Sequence, residues 1–212
     1  GYAPLLNAST ALSARDIERF SFGGDWQTLV FLNGNFVARL SSVVAESGIY
    51  AGPMSDALSS DMRERIVERH FGGLADTQEH AFTALNTAFA GDGAFVCLAA
   101  NVVAPRNIHL MFVSDAAAEG ALVSPRNVIS LEHHAEATVV ESYVSLGSAN
   151  YLTHAVTEVY VADGARLRHY KILRESMRAY HVASCCANQT RDCRYEAFPF
   201  AIGADLSRTN IA

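Results

Sequence analysis

The sequence has few features of nucleic-acid-binding, membrane or secreted proteins. It carries 16 Lys and Arg against 22 Asp and Glu, and no cluster of basic residues that would follow a phosphate backbone. The longest apolar run, Ala94 to Ala104, is interrupted by Asn101 and has roughly half the length that spans a bilayer. No basic segment precedes an apolar one, as in a secretory signal. Four cysteines in 212 residues are too few for a disulfide framework, so we expect a reduced, cytoplasmic protein.

The sequence also contains little that is typical of a free-standing enzyme. Gly23-Gly24 and Gly72-Gly73 lack the Lys-Ser/Thr of a phosphate-binding loop, and neither follows a clear strand. No nucleophile elbow is present. Ser, His and Asp all occur, but nothing in their spacing brings them together. We therefore predict no catalytic residues.

Residues 1–123 have the mixed pattern of an α+β region. Asn33-Gly34 is a strong hairpin turn signal between two apolar segments. Gly72-Gly73 and Gly91 mark the ends of two helical patterns. The predicted elements are a hairpin of Leu29–Leu32 with Phe36–Leu40, helices Ser60–Phe71 and Thr77–Phe89, and strands Ala94–Val103 and Ile108–Val113.

From residue 124 onward the pattern becomes repetitive and β-rich. The segments 137–140, 165–168 and 193–196 align at a constant spacing, since 165 − 137 = 193 − 165 = 28. In each copy a small residue and a larger apolar one lie two positions apart, which places both on one face of a strand. The residues predicted to face the core are Ala137, Val139, Ala165, Leu167, Cys193 and Tyr195.

A repeat of this kind buries its apolar face by stacking copies. We therefore predict a mainly β protein in which residues 124–212 form a right-handed parallel β-helix, incomplete at the C-terminus. An antiparallel sandwich also gives evenly spaced strands. The β-helix is favoured because equivalent positions recur in the same order without reversal.

Two adjacent pairs, His133-His134 and Cys185-Cys186, are candidate metal ligands. Metal ligands must converge on one point, whereas neighbours on a straight strand point to opposite faces. The repeat places Cys185 inward and Cys186 outward. Neither pair can therefore hold one ion from a single face unless the strand bends.

Glu141 and His169 are candidate cofactor-binding residues. Their positions differ by one repeat, 169 − 141 = 28. This spacing would place them on adjacent strands, about 4.8 Å apart. A carboxylate beside an imidazole can orient it or raise its pKa. The apolar phase shifts just after both residues, which predicts a bulge that turns them outward. The alternative is an exposed pair of little consequence.

Four segments of the sequence carry a recognisable pattern. They are Glu136–Leu146 (EATVVESYVSL), Thr153–Val161 (THAVTEVYV), Asp163–Ile172 (DGARLRHYKI) and Gln189–Cys193 (QTRDC). These segments resemble the SufB/SufD family of SUF-system iron–sulfur cluster assembly proteins, and the SufD branch most closely. The similarity is strong from about residue 124 and weaker over Tyr2 to Val113.

The resemblance implies a right-handed parallel β-helix that serves as a non-catalytic scaffold in the cytoplasm. It implies a SufB-like paralogue and a SufC-like ATPase as partners, and a transient Fe–S cluster in the full complex rather than one held here. Family members are about twice this length, so later β-helix turns would be absent. The last turn would then expose an unpaired edge through which the chain could self-associate.

Two other functions remain open from the residues alone. A carbohydrate-active β-helix enzyme would need two carboxylates at a defined separation, and Asp163, Asp192 and Asp205 are the available acids. The first two fall at turns, where structural Asp is ordinary. A simple metal-binding module would use histidines and cysteines, namely His133, His134, His169, His181 and the four cysteines.

Overall fold

A computed structural model of the chain describes residues 1–4, 12–60, 70–75 and 81–212. Nearly half of the chain lies in strands. The strands are β1 (Ala3–Pro4), β2 (Gln27–Leu32), β3 (Asn35–Phe36), β4 (Ile49–Pro53), β5 (Ala94–Leu98), β6 (Ile108–Ser114), β7 (Ala121–Val123), β8 (Arg126–Leu131), β9 (Glu136–Ser145), β10 (Leu152–Val161), β11 (Arg166–Arg174), β12 (Tyr180–Gln189), β13 (Arg194–Ala201) and β14 (Leu206–Ile211). The α-helices are α1 (Ala14–Ile17), α2 (Met54–Ser59) and α3 (Ala81–Phe89), and short 3-10 helices cover Glu18–Phe20, Ala38–Leu40 and Ala116–Ala118.

Two sheets enclose one apolar core, and successive strands of the C-terminal half alternate between them. The first sheet runs β4–β5–β8–β10–β12–β14, with β7 alongside the start of β10 and β1 beyond β7. The second runs β3–β2–β6–β9–β11–β13. Every pairing from β6 onward is parallel. The fold is therefore a parallel β-solenoid of about four turns, which confirms the predicted class over the sandwich.

The N-terminal region joins the same two sheets. β2 pairs in parallel with β6, and β5 with β8, so the ladders continue across residue 124. Short helices lie over this part of the solenoid. The division into regions 1–123 and 124–212 stays a prediction.

The local predictions for the N-terminal region are partly confirmed. The Asn33-Gly34 turn has φ of 49° and 88°, as a tight hairpin requires, but its second strand ends at Phe36 because the chain enters the 3-10 helix Ala38–Leu40. The strand predicted to reach Val103 ends at Leu98, and Asn101 follows with φ of 64° in a turn. Residues 61–69 and 76–80 lie outside the described residues, and with them most of the first predicted helix and the start of the second.

The described helices are short and pack on the outside of the sheets. The second predicted helix is present as α3 from Ala81 to Phe89, and it lies over β10. In the described part of the chain, no helix combines the length and hydropathy needed to cross a lipid bilayer.

The constant repeat spacing predicted from the sequence is right for two pairs of strands and wrong for others. Leu152 lies opposite Tyr180 and Arg166 opposite Arg194, so that 180 − 152 = 194 − 166 = 28, as predicted. The spacing is instead 30 between β8 and β10 and between β9 and β11, and 26 between β12 and β14. The cause is that the strand of the second sheet and the corner after it each shorten by one residue per turn. β9 has ten residues and the corner after it (146–151) has six, β11 has nine and its corner (175–179) five, and β13 has eight and its corner (202–205) four.

The predicted faces are nevertheless correct. A register error of two residues preserves the side on which a strand residue lies, because the side-chain period is two. Residues 139, 165 and 167 are at most 1% exposed in the core, and residues 137, 193 and 195 pack against it.

Candidate functional site: a polar cluster inside the solenoid

A group of polar side chains interrupts the apolar interior between β9, β10 and β11. Glu141 lies at its centre and is fully buried. Its carboxylate accepts hydrogen bonds from Thr157 Oγ1 at 2.7 Å and Tyr143 Oη at 3.0 Å. His169 Nε2 lies 3.0 Å from Glu141 Oε1. The inward alternation that buries Val139 therefore also buries these polar groups.

The contact between Glu141 and His169 is diagonal. The ladder places His169 opposite Val139 and Lys171 opposite Glu141. Lys171 also points inward, and its Nζ lies 3.8 Å from Glu141 Oε2 and 4.7 Å from the centre of the Tyr143 ring. One carboxylate thus faces two basic side chains on the neighbouring strand.

The prediction that Glu141 and His169 turn outward at a bulge is wrong. The inward phase continues without a shift through Tyr143 on β9 and Leu173 on β11, which are 2% and 3% exposed. The residues of opposite phase, such as Val144, lie on the outer face under the N-terminal segment.

The charges within the cluster reinforce each other. Burial by itself raises the pKa of Glu141, but the charges of Lys171 and His169 and the hydrogen bonds to the carboxylate lower it to about 2. Burial lowers the pKa of His169, but interactions with Cys185 and Glu141 raise it to about 9. The folded state therefore favours an ionised carboxylate beside an imidazolium.

The cluster continues toward the later strands through a thiol and a phenol. His169 Nδ1 lies 3.0 Å from Tyr195 Oη, and Cys185 Sγ lies 3.3 Å from the same oxygen. Burial is the main reason that the pKa of Tyr195 is raised, which keeps the phenol protonated. Cys185 faces inward, as its place in the repeat predicts.

A second buried pair lies next to this cluster. Glu175, in the corner before β12, accepts a hydrogen bond from Thr153 Oγ1 at 2.6 Å and lies 2.7 Å from His181 Nδ1. His181 also meets the Tyr143 ring edge-on at 4.7 Å. Burial lowers the pKa of His181 despite Glu175, so this imidazole is favoured in its neutral form.

The remaining predicted ligands do not converge. His133 and His134 are exposed and lie in the corner between β8 and β9 rather than on a strand. Cys186 is partly exposed on the outer face, opposite in direction to Cys185. Across residues 1–4, 12–60, 70–75 and 81–212, no three His, Cys, Asp or Glu side chains are placed to hold one metal ion. Metal binding by the four candidates stays a prediction.

The acids considered for a carbohydrate-active site are turn residues. Asp163 lies in the corner after β10, where its side chain accepts from the backbone N–H of Arg191 at 3.1 Å. Asp192 lies in the next corner with φ of 56°. These placements agree with the structural role expected from the sequence.

Sequence reasoning missed several members of the polar cluster. Lys171, Tyr143, Thr157 and Glu175 were not among the candidates, although each is at most 7% exposed. Lys171 could have been found from period-two alternation, because it lies four residues after Leu167, which is predicted to face the core. The cluster as a whole can hold ionised groups at fixed positions inside the solenoid.

Comparison with known proteins identifies the class to which this solenoid belongs. The family description "SUF system FeS cluster assembly, SufBD core domain" matches residues 112–212, and "SufBD protein N-terminal region" matches residues 24–110. Together they cover 101 + 87 = 188 of 212 residues. The chain belongs to the SufB/SufD family.

Individual relatives agree with this assignment. The chain is 29% identical to an iron–sulfur cluster assembly SufBD family protein of Synechocystis over 86% of its length and 42% of that protein. It is 27% identical to the iron–sulfur cluster assembly protein SufD of Escherichia coli over 86% of its length and 40% of that protein. It is 28% identical to the chloroplastic protein ABCI7 of Arabidopsis thaliana over 77% of its length and 35% of that protein. The chain thus spans less than half the length of these relatives.

Proposed function

We propose that this chain is part of a SufD-like scaffold in an iron–sulfur cluster assembly complex and catalyses no reaction by itself. The observation that supports this most directly is the match of the SufBD core description to residues 112–212, which extend from the second half of β6 through β14. The relative from Escherichia coli carries the name SufD. A carbohydrate-active enzyme and a simple metal-binding module have no such support.

The partners in this proposal are a SufB-like paralogue and a SufC-like ATPase. ATP hydrolysis belongs to the ATPase, because the sequence of this chain has no phosphate-binding loop motif. We place the complex in the cytoplasm, without nucleic acid or membrane among its partners. An acidic chain with a net charge of −6 fits the absence of a nucleic-acid partner.

The last strands offer one route to a partner. Among the described residues, β13 pairs only with β11, and β14 only with β12. Within these residues, each presents a row of backbone N–H and C=O groups on its other edge. In this proposal these edges pair with further strands, supplied by the rest of the same protein, by a paralogue or by a second copy.

The Fe–S cluster is the cargo of the proposed complex and is held only transiently. We also propose that Glu141 and His169 contact this cargo. Both side chains are buried, so any such contact takes place inside the solenoid rather than on its surface.

Co-purification of the full-length protein with the SufB-like and SufC-like proteins tests the scaffold role. We expect a stable complex that gains iron and sulfide under anaerobic reconstitution. Failure of the full-length protein to associate with either partner would contradict the proposal.

A matched pair of thiol variants in the same complex tests the candidate ligands. Cys185→Ala and Cys186→Ala change neighbouring residues that face opposite sides of β12. We expect at most one of them to lower the iron content, because one point cannot be reached from both faces. Equal loss of iron in both variants would contradict the geometry.

A further inference from the structure

The described residues cover the outer face of the second sheet along only part of its width. In one row across the ladders, His109 on β6 lies opposite Val140 on β9. Both are at most 4% exposed. The rings of Phe22 and Trp26 lie 4.8 and 6.3 Å from the His109 ring. The N-terminal segment thus closes this face as far as β9.

The same row continues on the next two strands, where no described residue covers it. Val140 lies opposite Tyr170 on β11, which lies opposite Phe198 on β13. The Tyr170 and Phe198 rings stack at 4.9 Å and 19°, and Phe198 is 37% exposed. The adjacent row ends in the same way, with Ile172 opposite Phe200, which is 51% exposed.

Together with one more residue, these side chains form a continuous apolar surface. Ile202 follows β13 and is 74% exposed. We call this surface the aromatic stripe and define it as Tyr170, Ile172, Phe198, Phe200 and Ile202. From residue 198 to 202 it extends about 13 Å along the strand, close to the ~11 Å of two helical turns. A contiguous apolar surface beside an already buried one is typical of an interaction site.

Charged side chains flank the aromatic stripe at both ends of the strands, and arginines outnumber glutamates among them. The outward positions of β9, β11 and β13 carry four arginines and two glutamates, so their local net charge is 4 − 2 = +2, whereas the whole chain has −6. These residues are Arg166, Arg168, Arg174, Arg194, Glu136 and Glu196. Ion pairs of 2.8 to 3.7 Å link both glutamates to arginines, so the excess charge around the stripe is positive.

This charge decides between two kinds of occupant. A second copy of the chain would bring a second set of arginines against the first, and like charges facing each other across an interface oppose association. An acidic surface would instead complement the rim. The established cover of the same sheet face is a helical segment, since Ile17 of α1 and Phe20 of the following 3-10 helix pack on it.

We propose that the aromatic stripe binds an amphipathic helix of a partner protein, with apolar residues at positions i, i+3 or i+4, and i+7, and acidic residues beside them. The apolar positions supply the contact and the acidic residues face the arginines, as in other complexes in which a helix lies in a groove. This site is separate from the polar cluster inside the solenoid. It also does not depend on cluster assembly, so the two proposals can fail independently.

Two synthetic 18-residue helical peptides test the proposal by fluorescence anisotropy with the full chain. Both carry the same Leu positions, and their remaining positions are mainly Glu in one and mainly Lys in the other. We expect the Glu peptide to bind at least tenfold more tightly, and we expect its affinity to fall as salt is raised. The double variant Phe198→Ser/Phe200→Ser should weaken it at least tenfold, whereas Met177→Ser, which also removes an exposed apolar side chain but in the corner before β12 (72% exposed), should not.

A second variant keeps the test decisive if the double variant fails to fold. Arg168→Glu/Arg174→Glu leaves every apolar residue in place and should reverse the preference between the two peptides. Binding of neither peptide, equal binding of both, or concentration-dependent self-association that Phe200→Ser abolishes would overturn the proposal. Burial of the Tyr170 and Phe198 side chains from solvent in the full-length protein without added peptide would also overturn it. A segment of the same protein would then occupy the stripe.

Discussion

His169 Nε2 lies 3.0 Å from Glu141 Oε1 although the two residues are not opposite each other in the ladder. The imidazole reaches diagonally past Val139 to a carboxylate that also faces Lys171. The contact is fully buried, so its contribution to stability differs from that of an exposed cross-strand pair. Exposed pairs contribute little to stability, whereas removing one partner of a buried pair leaves an uncompensated charge.

Replacing Glu141 should therefore destabilise the fold strongly. In Glu141→Gln the basic side chains of His169 and Lys171 lose their shared carboxylate, and we expect a loss of about 3–5 kcal/mol in the free energy of unfolding. Urea denaturation followed by circular dichroism measures it. Glu196→Gln, which breaks only exposed ion pairs to Arg168 and Arg194, is the matched control and should change stability little. An unfolding free energy of Glu141→Gln equal to wild type would refute the role given to this pair.

The same pair should make stability depend on pH in both directions. Folding raises the pKa of His169 from 6.5 to about 9, so the stability it contributes is fully present below pH 6.5 and is lost as the pH rises toward 9. Folding lowers the pKa of Glu141 from 4.5 to about 2, so its contribution is present above pH 4.5 and is lost as the pH falls toward 2. The pair is thus most stabilising between about pH 4.5 and 6.5.

Denaturation of His169→Gln between pH 6.5 and 9 tests the alkaline side. The variant should lose the decline in stability that wild type has in this range. His133→Gln, in an exposed corner, should keep it. A wild-type stability that is flat from pH 6.5 to 9 would contradict the raised pKa of His169.

A large part of this fold could be predicted from the sequence, because period-two alternation and the unreversed order of equivalent residues are local properties. The faces of Leu167 and Tyr195 follow from alternation alone. The register did not follow, because it depends on the lengths of β9 and β11 and of the corners after them, at 146–151 and 175–179. Nothing in a single repeat fixes these lengths. An error of two residues was harmless for the faces but concealed that Lys171 lies opposite Glu141.

The interior cluster was harder to predict for a different reason. Glu141 and His169 are polar residues of types that usually face solvent. A sequence pattern cannot distinguish polar side chains that face water from buried polar side chains that form hydrogen bonds with each other. Their proximity was foreseen, but their direction was not. The burial of Glu141 can be understood only from the hydrogen bonds that its carboxylate accepts. One comes from Thr157 on the next strand, β10, and one from Tyr143 on the same strand, β9.

A further buried carboxylate attaches residues 70–75 to the outside of the solenoid. Glu158 on β10 accepts hydrogen bonds from the backbone N–H groups of Gly72, Leu74 and Ala75 at 2.8, 2.7 and 3.3 Å. Arg126 on β8 also donates to it, from Nε at 3.1 Å. Both charged side chains are at most 2% exposed. A single side chain thus satisfies three backbone donors of residues 70–75.

Glu158→Gln should release this segment. The variant leaves the Arg126 guanidinium buried without its carboxylate, and we expect a loss of about 3–5 kcal/mol in unfolding free energy. Hydrogen exchange at the amides of Gly72 and Leu74 should also become faster than in wild type, and this increase should exceed any increase at amides of the inner strands. Glu119→Gln, which removes an exposed pair with Arg178, is the control. Unchanged protection of the Gly72 amide in Glu158→Gln would contradict the attachment.

The corners that follow β8, β10 and β12 share one backbone requirement. Each has four residues, and the third adopts a left-handed conformation: His134 with φ of 57°, Gly164 with 69° and Asp192 with 56°. A residue with a Cβ atom in this conformation costs about 1–2 kcal/mol relative to glycine. At Gly164 the cost is compounded, because an added Cβ would lie 2.3 Å from Nδ1 of His134 in the corner above.

Gly164→Ala should therefore be destabilising, and His134→Gly should reduce the penalty. The single change combines an unfavourable φ with a clash, and the double variant His134→Gly/Gly164→Ala keeps only the first. We expect the coupling between the two changes to be about 0.5–3 kcal/mol, the range found for residues in contact, measured by urea denaturation of all four proteins. Asp192→Gly removes the same φ cost one corner further along without touching this contact, and it should show no coupling with Gly164→Ala of comparable size. Strictly additive effects of His134→Gly and Gly164→Ala would mean that the two corners do not press on each other, and the stacking of successive turns would then be set by the strands alone.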